Sequence, residues 1–434
     1  MIYGILCVAV TLTAQDGGRM ALSMKQAVDL SLSAEGNARV QLAKELIAAT
    51  ATRVAQSKAA LLPNIDASVS EQNFTRNLKA FGVQIPIPGF PDVVGPISFF
   101  EARLTASQTI FDFSALKRLQ AARAQVDVAK AEEEAARNAV SDATARAYLV
   151  LLRSGESVAT SEANVKLAEA LLKLASSQKQ AGIATGIEVT RAQVQMANEQ
   201  QRLLVARNDR DRAEIQLLRV IGLRMNVHID ATDSLQFVAA ESLAVAEALE
   251  TAKQMRADLR VQQRRESLSK LNYDAVKWER LPTLAAFADA GGIGLDIADS
   301  RFTRTVGVSL RVPVWDGGRR DARRAESASN VRQEQIRGRD LMQQIEAEIR
   351  LAFESLQSAE GQIRVAEQGL QLSENELAQS RRRYEAGVGA SIEVSDAQTR
   401  LARARDNRTA ALFLHNLAKI ELASAMGVIH KVIQ

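Results

Sequence analysis

Cysteine is almost missing from this chain: Cys7 is the only one in 434 residues, so no disulfide can form within one copy. Histidine is nearly as scarce. His228, His415 and His430 are scattered without ligand-like spacing and read as surface or packing residues rather than a metal site. No block of one charge stands apart, because Lys and Arg interleave with Glu and Asp and the net charge is only +4. A nucleic-acid binder concentrates its cations on one face, so that class has little support. No run reaches the ~18–20 apolar residues that a membrane-spanning helix needs. No nucleophile–base pair, metal cluster or phosphate loop is present, which leaves an enzyme without a foothold and implies no cofactor.

Proline is also sparse, and its placement divides the chain. All seven prolines are Pro63, Pro86, Pro88, Pro91, Pro96, Pro282 and Pro313. Proline breaks helix interiors, so residues 114–281 and 314–434 are free to form long helices. Their composition agrees: Ala, Gln, Arg, Glu and Leu dominate, and aromatics make up only 4%. Met342, Ile345, Ile349, Ala352, Leu356, Ala359, Ile363, Ala366 and Leu370 step alternately by three and four, a heptad seam that demands partner helices. An upstream seam runs through Val140, Thr144, Ala147, Leu151, Val158 and Val165.

The two seams belong to a duplication. AGIATGIEVTRAQ (residues 181–193) lines up with AGVGASIEVSDAQ (residues 386–398), and Leu62-Pro63 with Leu281-Pro282. Residues 21–225 read as a first structural repeat and residues 226–434 as a second, each a helix–strand–strand–helix unit. Residues 1–20 are a signal-like segment with an apolar stretch but no cationic start, a frayed hydrophobic end being the alternative. Cys7 is no convincing lipid-attachment site.

Around the prolines the period changes from helical to two. Ile65, Ala67 and Val69 alternate with Asp66, Ser68 and Ser70, while Ala102, Leu104 and Ala106 alternate with Glu101, Arg103 and Thr105. Val306, Val308 and Leu310 alternate with Thr305, Gly307 and Ser309. These spacings predict strands over about 64–77, 99–112, 283–294 and 301–314, each with one apolar and one polar face. Their length matches the ~9–11 residues of a tilted transmembrane strand. Four strands cannot close a barrel, and an open edge in lipid leaves backbone groups unpaired. Membranous strands of this number therefore require several copies to share one barrel, two giving a narrow barrel and three a wider one.

The order of these elements, the Ile110-Phe-Asp-Phe113 and Val314-Trp-Asp-Gly-Gly318 strand exits, and the paired glycine turns together resemble the TolC-like outer-membrane efflux proteins. That resemblance covers about residues 22–428. It implies a mainly α fold with a membrane β-barrel: a homotrimer whose four strands per subunit form a shared twelve-stranded barrel above a long α-helical tunnel. It further implies an outer-membrane channel-tunnel with the tunnel in the periplasm. Such a channel is the passive exit duct of a tripartite efflux or type I secretion system. Its partners would be outer-membrane lipid, an inner-membrane transporter and a periplasmic adaptor (membrane fusion protein).

The resemblance also nominates residues. Tyr384 falls at the tyrosine position of the periplasmic aperture, with Glu393 and Asp396 at acidic positions of the second turn and Glu188 at one of the first. Gly389 stands where relatives have a gating arginine. The turns carrying Gly182, Gly186, Gly387 and Gly389 correspond to the adaptor-docking turns. Glu101, Arg103 and Arg311 would face the barrel lumen, or water if the sheet is soluble. Local physics offers alternatives for the acids: Thr185 and Glu188 have capping-box spacing, and the helix dipole favours carboxylates at a helix start. A soluble coiled-coil scaffold is the competing function, but it leaves the alternating strands unexplained.

Overall fold

The computed structural model describes residues 18–82, 88, 90–182, 184–239 and 244–432. Cys7 and nearly all of the signal-like segment lie outside the described residues. The chain divides into two compact units, one from Met1–Lys44, Ala131–Arg260 and Arg339–Gln434, the other from Glu45–Lys130 and Val261–Gly338. Each unit takes residues from both halves of the sequence.

The first unit is helical around a short parallel strand pair. Strand β1 (Arg19–Leu22) pairs with β4 (His228–Ala231), a ladder that no spacing in the sequence predicts. Helix α1 (Met24–Ser31) starts at a capping box: Gln26 N donates to Ser23 Oγ at 3.3 Å and Ser23 N donates to Gln26 Oε1 at 2.9 Å. The Tyr148 hydroxyl, buried in α3 (Phe113–Gln180), donates to Leu22 O at 2.8 Å. Tyr148, Leu217, Leu218, Ile221 and Ile229 form the centre of one core. A second cluster joins Ala248 and Ala252 of α5 (Val245–Met255) to Ile345 and Ile349 of α7 (Arg319–Glu385). The seam from Ile345 to Ile363 is buried at every heptad step, as its spacing requires.

The second unit holds an antiparallel four-stranded sheet in the order β2 (Asn64–Asn77), β3 (Val93–Phe111), β5 (Thr283–Gly294), β6 (Arg301–Arg311). Two strand bounds differ from the spacing-based expectation by more than one residue. Strand β3 starts at Val93 rather than 99, because a register shift between Phe74 and Arg76 lets the ladder resume past Pro96, and bulges tolerate proline where regular ladders do not. Strand β6 stops at Arg311 rather than 314. Its last partner is Thr283, directly after Pro282, and Pro313 has no N–H to extend the ladder.

The register sorts the sheet cleanly. Ile65, Ala67, Val69, Leu104, Ala106, Ala288, Val306, Val308 and Leu310 share one face, and the large ones among them are exposed. Asp66, Ser68, Glu101, Arg103, Thr105, Asp289, Thr303, Thr305 and Arg311 share the other. Below the sheet, Phe113 stacks on Trp278 at 5.6 Å and Ser114 Oγ donates to Ala275 O at 2.9 Å. Those contacts tie the start of α3 to α6 (Ala257–Lys277) and the turn that follows it.

Candidate functional site

The nominated residues fall into two groups, one in each unit. The first surrounds the paired glycine turns, where α3 returns as α4 (Gly186–Ile221) and α7 returns as α8 (Ser391–Ala425). Gly182 and Gly387 have φ of +74° and +73°, in the left-handed region that favours glycine, and they end their helices by donating to Lys179 O and Tyr384 O at 3.0 Å. Gly389 has another reason to be small: an added Cβ would lie 3.0 Å from Arg383 Cβ and 3.1 Å from Tyr384 N. An arginine at that position would press on the end of α7. Gly186 has only Lys179 Nζ near, at 3.9 Å, so nothing steric holds it.

A different cation lies close to the second turn. Arg383 Nε lies 3.4 Å from Glu393 Oε2, pairing the last turn of α7 with the first turn of α8. Tyr384 beside it is 6% exposed, and its main-chain oxygen accepts from Gln178 Nε2 of α3 at 3.4 Å. Burial, with the negative charge of Glu188 adding to it, pushes the Tyr384 phenol above its ordinary value, so it stays protonated. Tyr384 and Glu188 are thus brought together, while Glu393 and Asp396 are exposed at the start of α8.

The capping alternatives fare differently. Thr185 occupies the N-cap position of α4, but its side chain makes no cap hydrogen bond, so the capping box expected with Glu188 is not formed. Glu188 and Glu393 do occupy first turns, where the helix dipole favours them. Asp396 sits a turn further on, because α8 begins at Ser391.

The second group lies on the polar face of the sheet. The Arg103 guanidinium is hydrogen-bonded to Glu101 on its own strand, to Asp289 on β5 and, at 3.3 Å, to Thr303 Oγ1 on β6. One arginine therefore ties three strands, with two carboxylates sharing its charge. Arg311, at the other end of the same face, pairs in register with Thr283. Asp289, Thr303, Arg383 and Gln178 were not nominated from the sequence. Only the odd-numbered parity of Asp289, matching Glu101 and Arg103 across β3 and β5, hinted at its place.

Among the described residues no group of acids, histidines or cysteines is arranged to hold a metal ion. No helix there is long and apolar enough to cross a membrane, which says nothing of the strands.

Comparison with known proteins agrees with this architecture. The sequence model of the family described as "Outer membrane efflux protein" matches residues 30–223 and 248–428. The pyoverdine export outer membrane protein OpmQ of Pseudomonas putida is 23% identical over 339 residues, covering 76% of this chain and 70% of its own. The CmeC outer membrane channel of Campylobacter jejuni superposes with a TM-score of 0.78 at 16% identity, over 94% of this chain and 86% of that one. The outer membrane protein VceC of Vibrio cholerae gives a TM-score of 0.75 at 17% identity, over 93% and 96%.

Proposed function

The chain belongs to the outer membrane efflux protein family, and from that premise we propose that three copies close one twelve-stranded barrel around a common axis. The protein is the outer-membrane exit duct of tripartite efflux systems, its helices forming the periplasmic tunnel. Membership in an efflux family carries with it an inner-membrane pump and a periplasmic adaptor as working partners. The family is one of channels rather than enzymes, and the pump supplies the energy.

The trimer rests on one observation: the sheet has an exposed apolar face, a polar face and two free edges. Among the described residues neither β2 nor β6 has a second partner strand. In lipid each such edge would strand a row of N–H and C=O groups, each costing several kcal/mol. Joining β2 of one copy to β6 of the next satisfies both edges at once. Three copies give twelve strands and a lumen wide enough to conduct, whereas two give the narrow eight-stranded case.

Within this reading the polar face lines the lumen, with Glu101, Arg103 and Arg311 on its wall. Tyr384, Glu393, Asp396 and Glu188 line the periplasmic aperture, where one carboxylate per subunit becomes a ring that attracts cations. Arg383 takes the part that Gly389 cannot, holding Glu393 until the mouth opens. The turns at Gly182, Gly186, Gly387 and Gly389 receive the adaptor hairpins. Residues 21–225 and 226–434 act as the two structural repeats, each giving two strands to the barrel. The test is extraction and conductance: the protein should require detergent, run as a trimer and conduct ions in planar bilayers. A stable monomer in the aqueous fraction would overturn it.

A further inference from the structure

A cavity of about 410 Å³ lies between α3, α4, the last turn of α7 and the first turns of α8. That volume is within the ~300–1,000 Å³ of small-molecule sites. Its walls are mostly apolar, with Leu171 and Ala175 on α3, Ile187 and Val194 on α4, and Ile392 and Val394 on α8. Six uncharged polar side chains also line it, and two of them, Tyr384 and Gln398, are 6% and 2% exposed. Tyr384 Oη and Gln398 Nε2 are buried, and neither has a hydrogen-bond partner among the described residues.

Buried polar groups are almost always paired, so two orphans on one cavity call for an occupant. A purely apolar molecule would leave both unpaired. Water filling the cavity would face apolar walls on most sides, an environment that does not hold it well. The two charged residues on the lining, Glu188 and Arg191, stand three residues apart on α4 and offset one another. The inner polar groups are both neutral.

We propose that this interhelical cavity binds an uncharged molecule with an apolar body and an oxygen that accepts hydrogen bonds from Tyr384 Oη and Gln398 Nε2. The assignment does not depend on this end of the helices being the aperture.

The probe is 4-(4-fluorophenyl)butan-2-one, with its hydrocarbon counterpart 1-butyl-4-fluorobenzene, read by fluorine NMR against the full chain in nanodiscs and against empty nanodiscs. The expected result is saturable binding of the ketone beyond the empty discs, about tenfold tighter than the hydrocarbon, since each net hydrogen bond is worth roughly 0.5–1.5 kcal/mol. The double variant Tyr384→Phe, Gln398→Leu should remove that preference while the hydrocarbon still binds. Ala175→Trp, which fills the cavity, should abolish binding of both. Equal affinity for ketone and hydrocarbon in the unaltered protein, a measurement that needs no variant, would overturn the proposal. So would a ketone preference that survives in the double variant, or signal no larger than that of empty discs.

Discussion

Replacing Val306 with arginine separates a sheet that faces lipid from one that faces water. Val306 is the middle residue of β6, is 78% exposed, and shares its face with Ala288 across the strand and with Val308 and Leu310 along it. In water, a substitution at so exposed a site changes stability by no more than about 0.5 kcal/mol. On the lipid face of a barrel, arginine near the midplane costs roughly 2–4 kcal/mol per subunit, or roughly 6–12 kcal/mol for three copies closing one wall. That is comparable to the whole stability of an ordinary domain, about 5–15 kcal/mol. Thr305→Arg is the control, one residue away on the polar face and paired in register with Asp289, where an added cation has a carboxylate beside it. The assay is the yield of trimer in outer membranes together with the urea midpoint after refolding into liposomes. Val306→Arg should lose most of its trimer and Thr305→Arg should keep it. Equal behaviour of the two would refute the assignment of faces.

Other substitutions test the helical part. Ile349→Ala empties a fully buried seam position and should cost about 2–5 kcal/mol in thermal unfolding, whereas Leu351→Ala, at a site 67% exposed in one copy, should cost far less in a dissociated subunit. Replacing Glu393 and Asp396 together with alanine should lower cation over anion permeability in planar bilayers; an unchanged ratio would confine them to a helix-start role. Gly387→Val forces a β-branched residue to φ +73°, a left-handed conformation costing about 1–2 kcal/mol or more, and should slow efflux from whole cells. Burial pushes the Asp258 carboxyl up, but the hydrogen bond and charge of Arg256 outweigh it and hold the group below its ordinary 3.8. Its ionised form is therefore favoured by folding, and the stability it contributes is present above pH 3.8 and lost as pH falls through the lower folded value. Asp258→Asn should flatten that part of the acid-unfolding profile, and an unaltered profile would assign the acid sensitivity elsewhere.

Long helices and the sheet were readable because each announces itself by period. Residues 345 to 363 keep a three-four step over several heptads, and Val306 to Leu310 keep a two-step. Where period is missing, the sequence was mute. The four-residue strands Arg19–Leu22 and His228–Ala231 are too short to show alternation, and their pairing joins residues about half the chain apart. The end of β6 could have been read from Pro313, whose missing N–H bars the three residues by which the expected strand overran. Glu188 and Glu393 match in the duplicated turns and Asp396 enters through the family resemblance alone, but Arg383 sits in a run of three arginines that all look alike in sequence. Its pairing with Glu393 depends on how tightly the Gly387 turn folds back. Gln398 closes the duplicated turn segment opposite Gln193, a match that does not reveal its burial, which comes from the packing of α8 against its neighbours.

The most direct measurement is covalent capture of the shared wall. With Cys7 replaced by serine, Ser68→Cys on the polar face of β2 is combined in turn with Thr303→Cys, Thr305→Cys and Ser309→Cys on the same face of β6, and a short thiol cross-linker is added to native membranes. Within one copy β3 and β5 stand between β2 and β6, so a bond at the free edges joins different chains. At least one pair should give a ladder ending at three linked copies. Cross-linking that stops at two, or none at any pair in membranes that contain the protein, would contradict a barrel closed by three subunits.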